Sequence, residues 1–324
     1  MEIQIDLGEN LYDPKDFVDA AVYAEEVGFK TVWIGDHFVP WYHSGNKSAF
    51  FWPVLGIILE KTSTIKTGPL VTVPIGARYH PALVAQASAT LDNMYPGRFL
   101  LGVGTGEAIN ERPFWGGRWP EWKERMDRLL EGLELIHKLW ESEKPFSFEG
   151  RYFSADFYCL YTKPRTQIPI FFSAIGKRAA YQAGKNGDVI VTESPRNDFG
   201  KLKGEILPEY QKGVDEAGRK RRVIIYVDFS LVNLEELKEK EWRTLGLFRK
   251  DAWSVSDPVT MEEVGKSVTA DELRSNIHFV RNWNDLARTI ENYRSEFGTE
   301  AVILASDANK TRIREIADNL LKVF

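Results

Sequence analysis

The chain alternates short apolar or β-branched runs with longer stretches whose apolar positions recur at helical spacing, which predicts a repeating strand–helix unit. Residues 3–7 show the period of two expected of a strand. Asp13 and Pro14 then cap and open a helix whose apolar face is Phe17, Ala20, Ala21 and Ala24, and Gly28 ends it. Further strands are predicted at 31–34, 65–73 and 99–103, with helices at 54–61 and 81–94. The unit recurs as strands at 168–172, 189–192, 223–229 and 301–305, with helices from Lys177, over about 201–217, and after the last strand. Eight strands in this order, with no Pro/Ser-rich linker between halves, predict one α/β domain over residues 1–324: a closed (β/α)8 TIM barrel rather than two doubly wound domains. Insertions interrupt the repeat near 104–120, 145–166 and 240–284, the last reading mainly helical.

Composition narrows the function. Over 324 residues, 43% hydrophobic and 27% charged provide a large core and exclude a disordered chain. A net charge of -5 offers no basic field for a nucleic-acid backbone. The single cysteine, Cys159, excludes an internal disulfide and a thiolate cluster, which points to a reducing, cytoplasmic setting. The acidic start of the chain does not read as an export signal, and the longest nearly apolar stretch, 49–59, carries Pro53 and is too short for a membrane span of ~20 residues. With 10 Trp, 12 Tyr and 19 Phe, some aromatics are expected to line a pocket as well as the core.

A barrel of this kind places its chemistry where strands end. After the second strand come Asp36, His37 and Trp41, a carboxylate, an imidazole suited to proton transfer near neutral pH, and an indole. After the fourth, Gly102, Gly104 and Gly106 precede Glu107 and Asn110; the glycines would let backbone approach a ligand, although a tight turn accounts for them equally well. This is not a dinucleotide fingerprint, because Glu107 stands at the third glycine position. After the fifth, Ser173, Gly176, Lys177 and Arg178 open a helix, and this is either a phosphate seat or a solvated basic helix start. The sixth adds Thr192 and Arg196. The five histidines lack metal-ligand spacing, and no G-x-S-x-G elbow is present, so neither metal nor nucleophilic chemistry is expected. Glu107 and Glu111 could be read as a glycosidase pair, but four residues apart on one turn they would lie side by side instead of flanking a bond. A carbohydrate-binding barrel without catalysis would leave His37 without a role.

The runs Asp36-His37-Phe38-x-Pro40-Trp41, Tyr95-Pro96-Gly97-Arg98 and Gly102 to Glu111 resemble the deazaflavin-dependent branch of the bacterial luciferase-like superfamily. Within it the chain is similar to coenzyme F420-dependent secondary alcohol dehydrogenases and glucose-6-phosphate dehydrogenases; 139–145 and 160–164 echo the alcohol enzymes. The resemblance implies an F420-dependent dehydrogenase, a homodimer acting on a small molecule. An FMN-dependent monooxygenase of the same superfamily would have no reason to keep the Asp-His-x-x-Pro-Trp run.

By the same resemblance, His37 would take the hydroxyl proton, Asp36 would orient it and hold the cofactor region, Trp41 would pack on the reacting centre, and Glu107 would give a proton to the ring. Leu70, Val71 and Thr72 would stand behind the ring, with Leu70-Val71 a cis peptide. Gly104, Thr105, Gly106 and Asn110 would line the ring, and Ser173, Ala174, Ile175 and Gly176 would seat the phosphate. Trp41, Trp242 and Arg196 would meet substrate. The family's first-strand glutamate falls at Asn10, with Glu9 adjacent. Of the three cations that grip a sugar phosphate, Arg196 matches, while Ala252 and Asn276 replace the others; Lys250 and Arg281 are near enough in sequence to compensate. A small neutral secondary alcohol is therefore the expected substrate, with a sugar or sugar phosphate as the alternative.

Overall fold

The computed structural model describes residues 1–9, 11–45 and 47–324. Eight parallel strands form its centre: β1 (Glu2–Asp6), β2 (Thr31–Ile34), β3 (Lys66–Pro69), β4 (Leu101–Val103), β5 (Ile170–Ser173), β6 (Val189–Ser194), β7 (Val223–Val227) and β8 (Ala301–Ala305). They pair in the order β3-β2-β1-β8-β7-β6-β5-β4. Bridges from Thr67 to Phe99 and from Thr72 to Val103 join the two ends, so the sheet closes into the luciferase-like (β/α)8 barrel. That seam depends on glycine: a Cβ at Gly68 would lie 1.9 Å from the Leu100 carbonyl oxygen, and one at Gly102 would lie 2.0 Å from that of Pro69.

Helices pack outside: α1 (Pro14–Val27), α2 (Phe51–Lys61), α3 (Pro81–Met94), α4 (Trp122–Glu141), α5 (Lys177–Asn186), α6 (Leu207–Ala217), α7 (Trp283–Phe297) and α8 (Lys310–Ile316). Pro14 opens α1, and Gly28 closes it in the left-handed region at φ 109°. The barrel interior is filled by Trp33, Leu100, Phe171, Val191, Ile224 and Ile303. Trp33 finds its buried partner in Gln4 Oε1 at 2.8 Å. No helix of the described residues is long and apolar enough to cross a membrane.

Several boundaries differ from the sequence pattern. The second helix begins at Phe51, not Val54, because Pro53 sits in the first turn, where its missing N–H has no partner to lose. The apolar run 65–73 pairs regularly only over Lys66–Pro69, and the Leu70–Val71 peptide beyond it is cis. The run ending at Phe229 stops at Val227 in the barrel; Phe229–Ser230 instead pairs with His278–Phe279. The insertion near 145–166 contains an antiparallel hairpin, Phe146–Glu149 with Ser154–Tyr158, and the helix expected over 201–217 is π-wound at Leu202–Ile206. The long insertion folds largely as short helices, including Pro258–Gly265 and Ala270–Asn276, and a further one, Leu234–Glu241, leads into it.

Candidate active site

At the carboxyl ends of the strands lies a cleft of about 1030 Å³. His37 and Trp41 after β2, Leu70 and Val71 after β3, Gly104–Glu107 after β4, Ser173, Ile175 and Gly176 after β5, and Arg196 after β6 all line it. Asp36, Thr72, Asn110 and Ala174 are buried outside that lining. Their side chains therefore act on the site from the surrounding core.

Asn110 fixes the His37 loop. Its Oδ1 accepts from the Phe38 N–H at 2.9 Å and the Val39 N–H at 3.4 Å, so a residue after β4 holds the chain after β2. His37 Nδ1 lies 3.3 Å from the Val39 carbonyl, which favours the proton on Nδ1 and leaves Nε2 as the basic atom. The His37 and Trp41 rings are 4.7 Å apart, and Trp41 meets Trp253 edge-on at 6.1 Å. Burial, reinforced by the Arg78 charge, pushes the imidazole down to about 3, so it is neutral at physiological pH.

One cation serves three carboxylates. Arg78 Nη1 donates to Asp36 Oδ1 at 2.8 Å and Nη2 to the Asp36 carbonyl at 2.9 Å, while Nε reaches Glu111 Oε1 at 3.1 Å. Tyr79 adds its hydroxyl to Asp36 Oδ1 at 3.0 Å. The side chains of Asp36, Arg78 and Glu111 are only 1%, 8% and 0% exposed. Burial pushes the carboxyls of Asp36 and Glu107 up, and it raises Glu111 to about 7, each opposed by Arg78. The Thr72 hydroxyl faces Asp36 and the Asn110 amide faces Glu107, each favouring the charged carboxylate, while Glu111 Oε2 is buried without a hydrogen-bond partner.

On the β5 side, α5 starts from Gly176 with Lys177 and Arg178 at the cleft wall, and a Cβ at Gly176 would meet nothing within 4 Å. Free backbone amides and two cations suit an anionic group. Arg125 of α4 also lines the cleft and donates to the Thr105 carbonyl at 3.2 Å, steadying the glycine loop.

Around β6, β7, β8 and β1 the wall is acidic, with Glu193, Asp228, Asp307 and Asp6. Arg196 is the one cation at this end among the described lining residues. It is already engaged: Nε donates to Asn276 Oδ1 at 2.8 Å, and Nη1 lies 3.3 Å from Glu193 Oε2. Neither residue offered as a compensating cation reaches the cleft. Lys250 is exposed, and Arg281, its side chain 84% exposed, pairs with Asp285. Ala252 is buried beside Ile109 and Met261. Trp242 is likewise outside the lining, covered by Arg243 and Lys266; Trp253, carrying Arg196 over its ring at 4.9 Å, occupies the cleft instead. Asn10 lies outside the described residues, and its neighbour Glu9 lines the cleft.

The sequence profile of the luciferase-like monooxygenases matches residues 2–299. The F420-dependent glucose-6-phosphate dehydrogenase of Nakamurella multipartita is 37% identical over 270 residues, 82% of this chain and 78% of that protein. The enzyme of that name from Segniliparus rotundus is 36% identical over 81% of this chain and 79% of its own length. The chain belongs to the luciferase-like family, in its F420-dependent branch. A solved F420-dependent secondary alcohol dehydrogenase, in complex with an F420-acetone adduct, superposes on this member of the branch with a TM-score of 0.88 at 32% identity, covering 100% of this chain and 99% of the other. The F420-dependent tetrahydromethanopterin reductase of Methanopyrus kandleri, at 21% identity and a TM-score of 0.74, shares the fold.

Sequence reasoning gave no role to Arg78, Tyr79, Asp228 or Trp253. Arg78 and Tyr79 follow a strand-end loop, but a cation beside an aromatic there reads like any solvated turn. Only the barrel's curvature turns Arg78 inward between residues 42 and 33 positions away in the chain.

Proposed function

We propose that this protein is an F420-dependent dehydrogenase that oxidises a non-phosphorylated secondary alcohol, or reduces the corresponding ketone. The shortage of cations at this end carries the choice of substrate class: a phosphate of nearly two negative charges would meet only Arg196, already held by Glu193 and Asn276, among the carboxyls of Asp6, Glu193, Asp228 and Asp307. Asn276, where a third cation would be needed, instead serves as the acceptor that holds Arg196.

The residues fit the deazaflavin. Leu70, Val71, Gly104, Thr105 and Gly106 would hold the ring, and Ser173 to Gly176 with Lys177 and Arg178 would hold its phosphate. When bound, the coenzyme supplies a two-electron hydride acceptor. His37, which lines the cleft, accepts the substrate hydroxyl proton on its unprotonated Nε2 as the carbinol hydrogen leaves. Burial favours the protonated form of Glu107, which would supply the proton on the ring side of the cleft. Trp41 and Trp253 close the apolar flank against water.

F420 reduction measured with 2-propanol and with glucose 6-phosphate as separate substrates tests the reading. A higher kcat/KM for the alcohol is expected, and a higher value for the sugar phosphate would overturn the substrate class.

A further inference from the structure

We propose that Arg78 is a positioning residue for hydride transfer: its guanidinium clamps the loop that carries His37 to the turn that carries Glu107. The inference rests on the functional reading above and assigns a part to a side chain that does not line the cleft.

The geometry is that of a two-sided fork. One edge takes both the side chain and the carbonyl of Asp36, the residue before His37. Nε takes Glu111, which sits one turn after Glu107 on the short helix Ala108–Glu111. Asn110 repeats the connection through the Phe38 and Val39 amides, so two independent ties run from the end of β4 to the end of β2. A lysine has no planar fork and could not hold both sides at once. Misplacement of either loop by about 1 Å would cost ~10²-fold in rate.

Arg78 also sets the charge balance. Glu107 faces Asp36 from the β2 end, Arg78 from the loop after β3, Asn110 and Glu111 on its own turn, and Arg125 from α4. Tyr79 faces Asp36 and Glu111 from the same loop as Arg78. Burial and the neighbouring carboxyls of Asp36 and Glu107 outweigh the attraction of Arg78 and raise Glu111 to about 7, so it titrates near neutral pH. Removing the Glu111 charge makes Glu107 a stronger acid, while keeping a cation at 78 leaves it little changed.

Two variants separate position from charge. F420 affinity is read by fluorescence titration, folding by the thermal melt, and the rate by kcat against pH. Arg78→Lys is expected to keep F420 affinity and the alkaline limb of the pH profile but to lower kcat by ~10²-fold. Glu111→Gln, close in shape, is expected to shift the alkaline limb to lower pH, because the carboxyl beside Glu107 no longer ionises.

A wild-type kcat in Arg78→Lys, or a rate loss that follows only the loss of folded protein, would overturn the positioning role. If Arg78→Lys does not fold, Glu111→Gln decides, and an unmoved alkaline limb there refutes the inference. Failure of the unsubstituted protein to bind F420 would instead refute the functional reading on which it rests.

Discussion

Asp228 offers a stability prediction with a definite sign. It follows β7, and its backbone is held on both sides: its N–H donates to the Ser194 carbonyl at 3.1 Å, and its own carbonyl accepts from the His278 N–H at 2.9 Å. The side chain therefore stays at the acidic wall. Burial, with Glu193 and Asp6 adding repulsion against the attraction of Arg196, raises the carboxyl to about 8 from its ordinary 3.8. Between these two values the folded protein holds a proton that the unfolded chain has released, so stability falls as pH rises from 3.8 to about 8 and levels off beyond. At pH 7 the penalty is of order 4 kcal/mol, taking 1.36 kcal/mol per pH unit, and water reaching the cleft would reduce it to about 2 kcal/mol. Asp228→Asn removes it, since the amide does not ionise. Thermal unfolding should then show the variant more stable than the parent by ~3 °C or more at pH 7.5, the gap closing toward pH 4. Asp6 and Glu111, both raised to about 7, keep part of the pH slope in the variant. A gap of the same size at pH 4.5 and 8 would show that Asp228 ionises normally and would refute the reasoning from burial.

Two further outcomes follow from the geometry. His37→Ala should reduce alcohol-dependent turnover by ~10² or more while F420 affinity, measured by fluorescence, stays near the parent value; near-normal turnover would remove His37 as the base. Gly68→Ala places a methyl group 1.9 Å from the Leu100 carbonyl oxygen, so the β3–β4 seam must part, and denaturant unfolding should show a loss of at least ~3 kcal/mol. A loss under ~1 kcal/mol would mean that the seam is elastic.

The barrel was legible because its cause is local. Strands such as 301–305 and helices such as that opened by Asp13 and Pro14 declare themselves through period, cap and breaker, and eight such units in sequence leave few topologies open. His37, Glu107 and the Ser173–Gly176 turn were legible for a related reason. A parallel barrel puts every strand end on one face, so a motif's place in the repeat gives its place in the cleft. What the sequence could not supply was direction and partnership. Trp242 and Trp253 are eleven positions apart in one irregular insertion, and only its packing sends the second into the cleft and leaves the first under Arg243 and Lys266. Arg281 is close to Asn276 in the chain, yet it turns to Asp285 in the first turn of α7 and so offers no charge to the site. The Arg78 clamp and the acidic wall belong to no motif at all. They arise because closing the barrel brings the ends of β2, β3 and β4 together on one side, and those of β6, β7, β8 and β1 on the other. Burial then turns ordinary carboxylates into groups whose protonation depends on neighbours tens or hundreds of residues away.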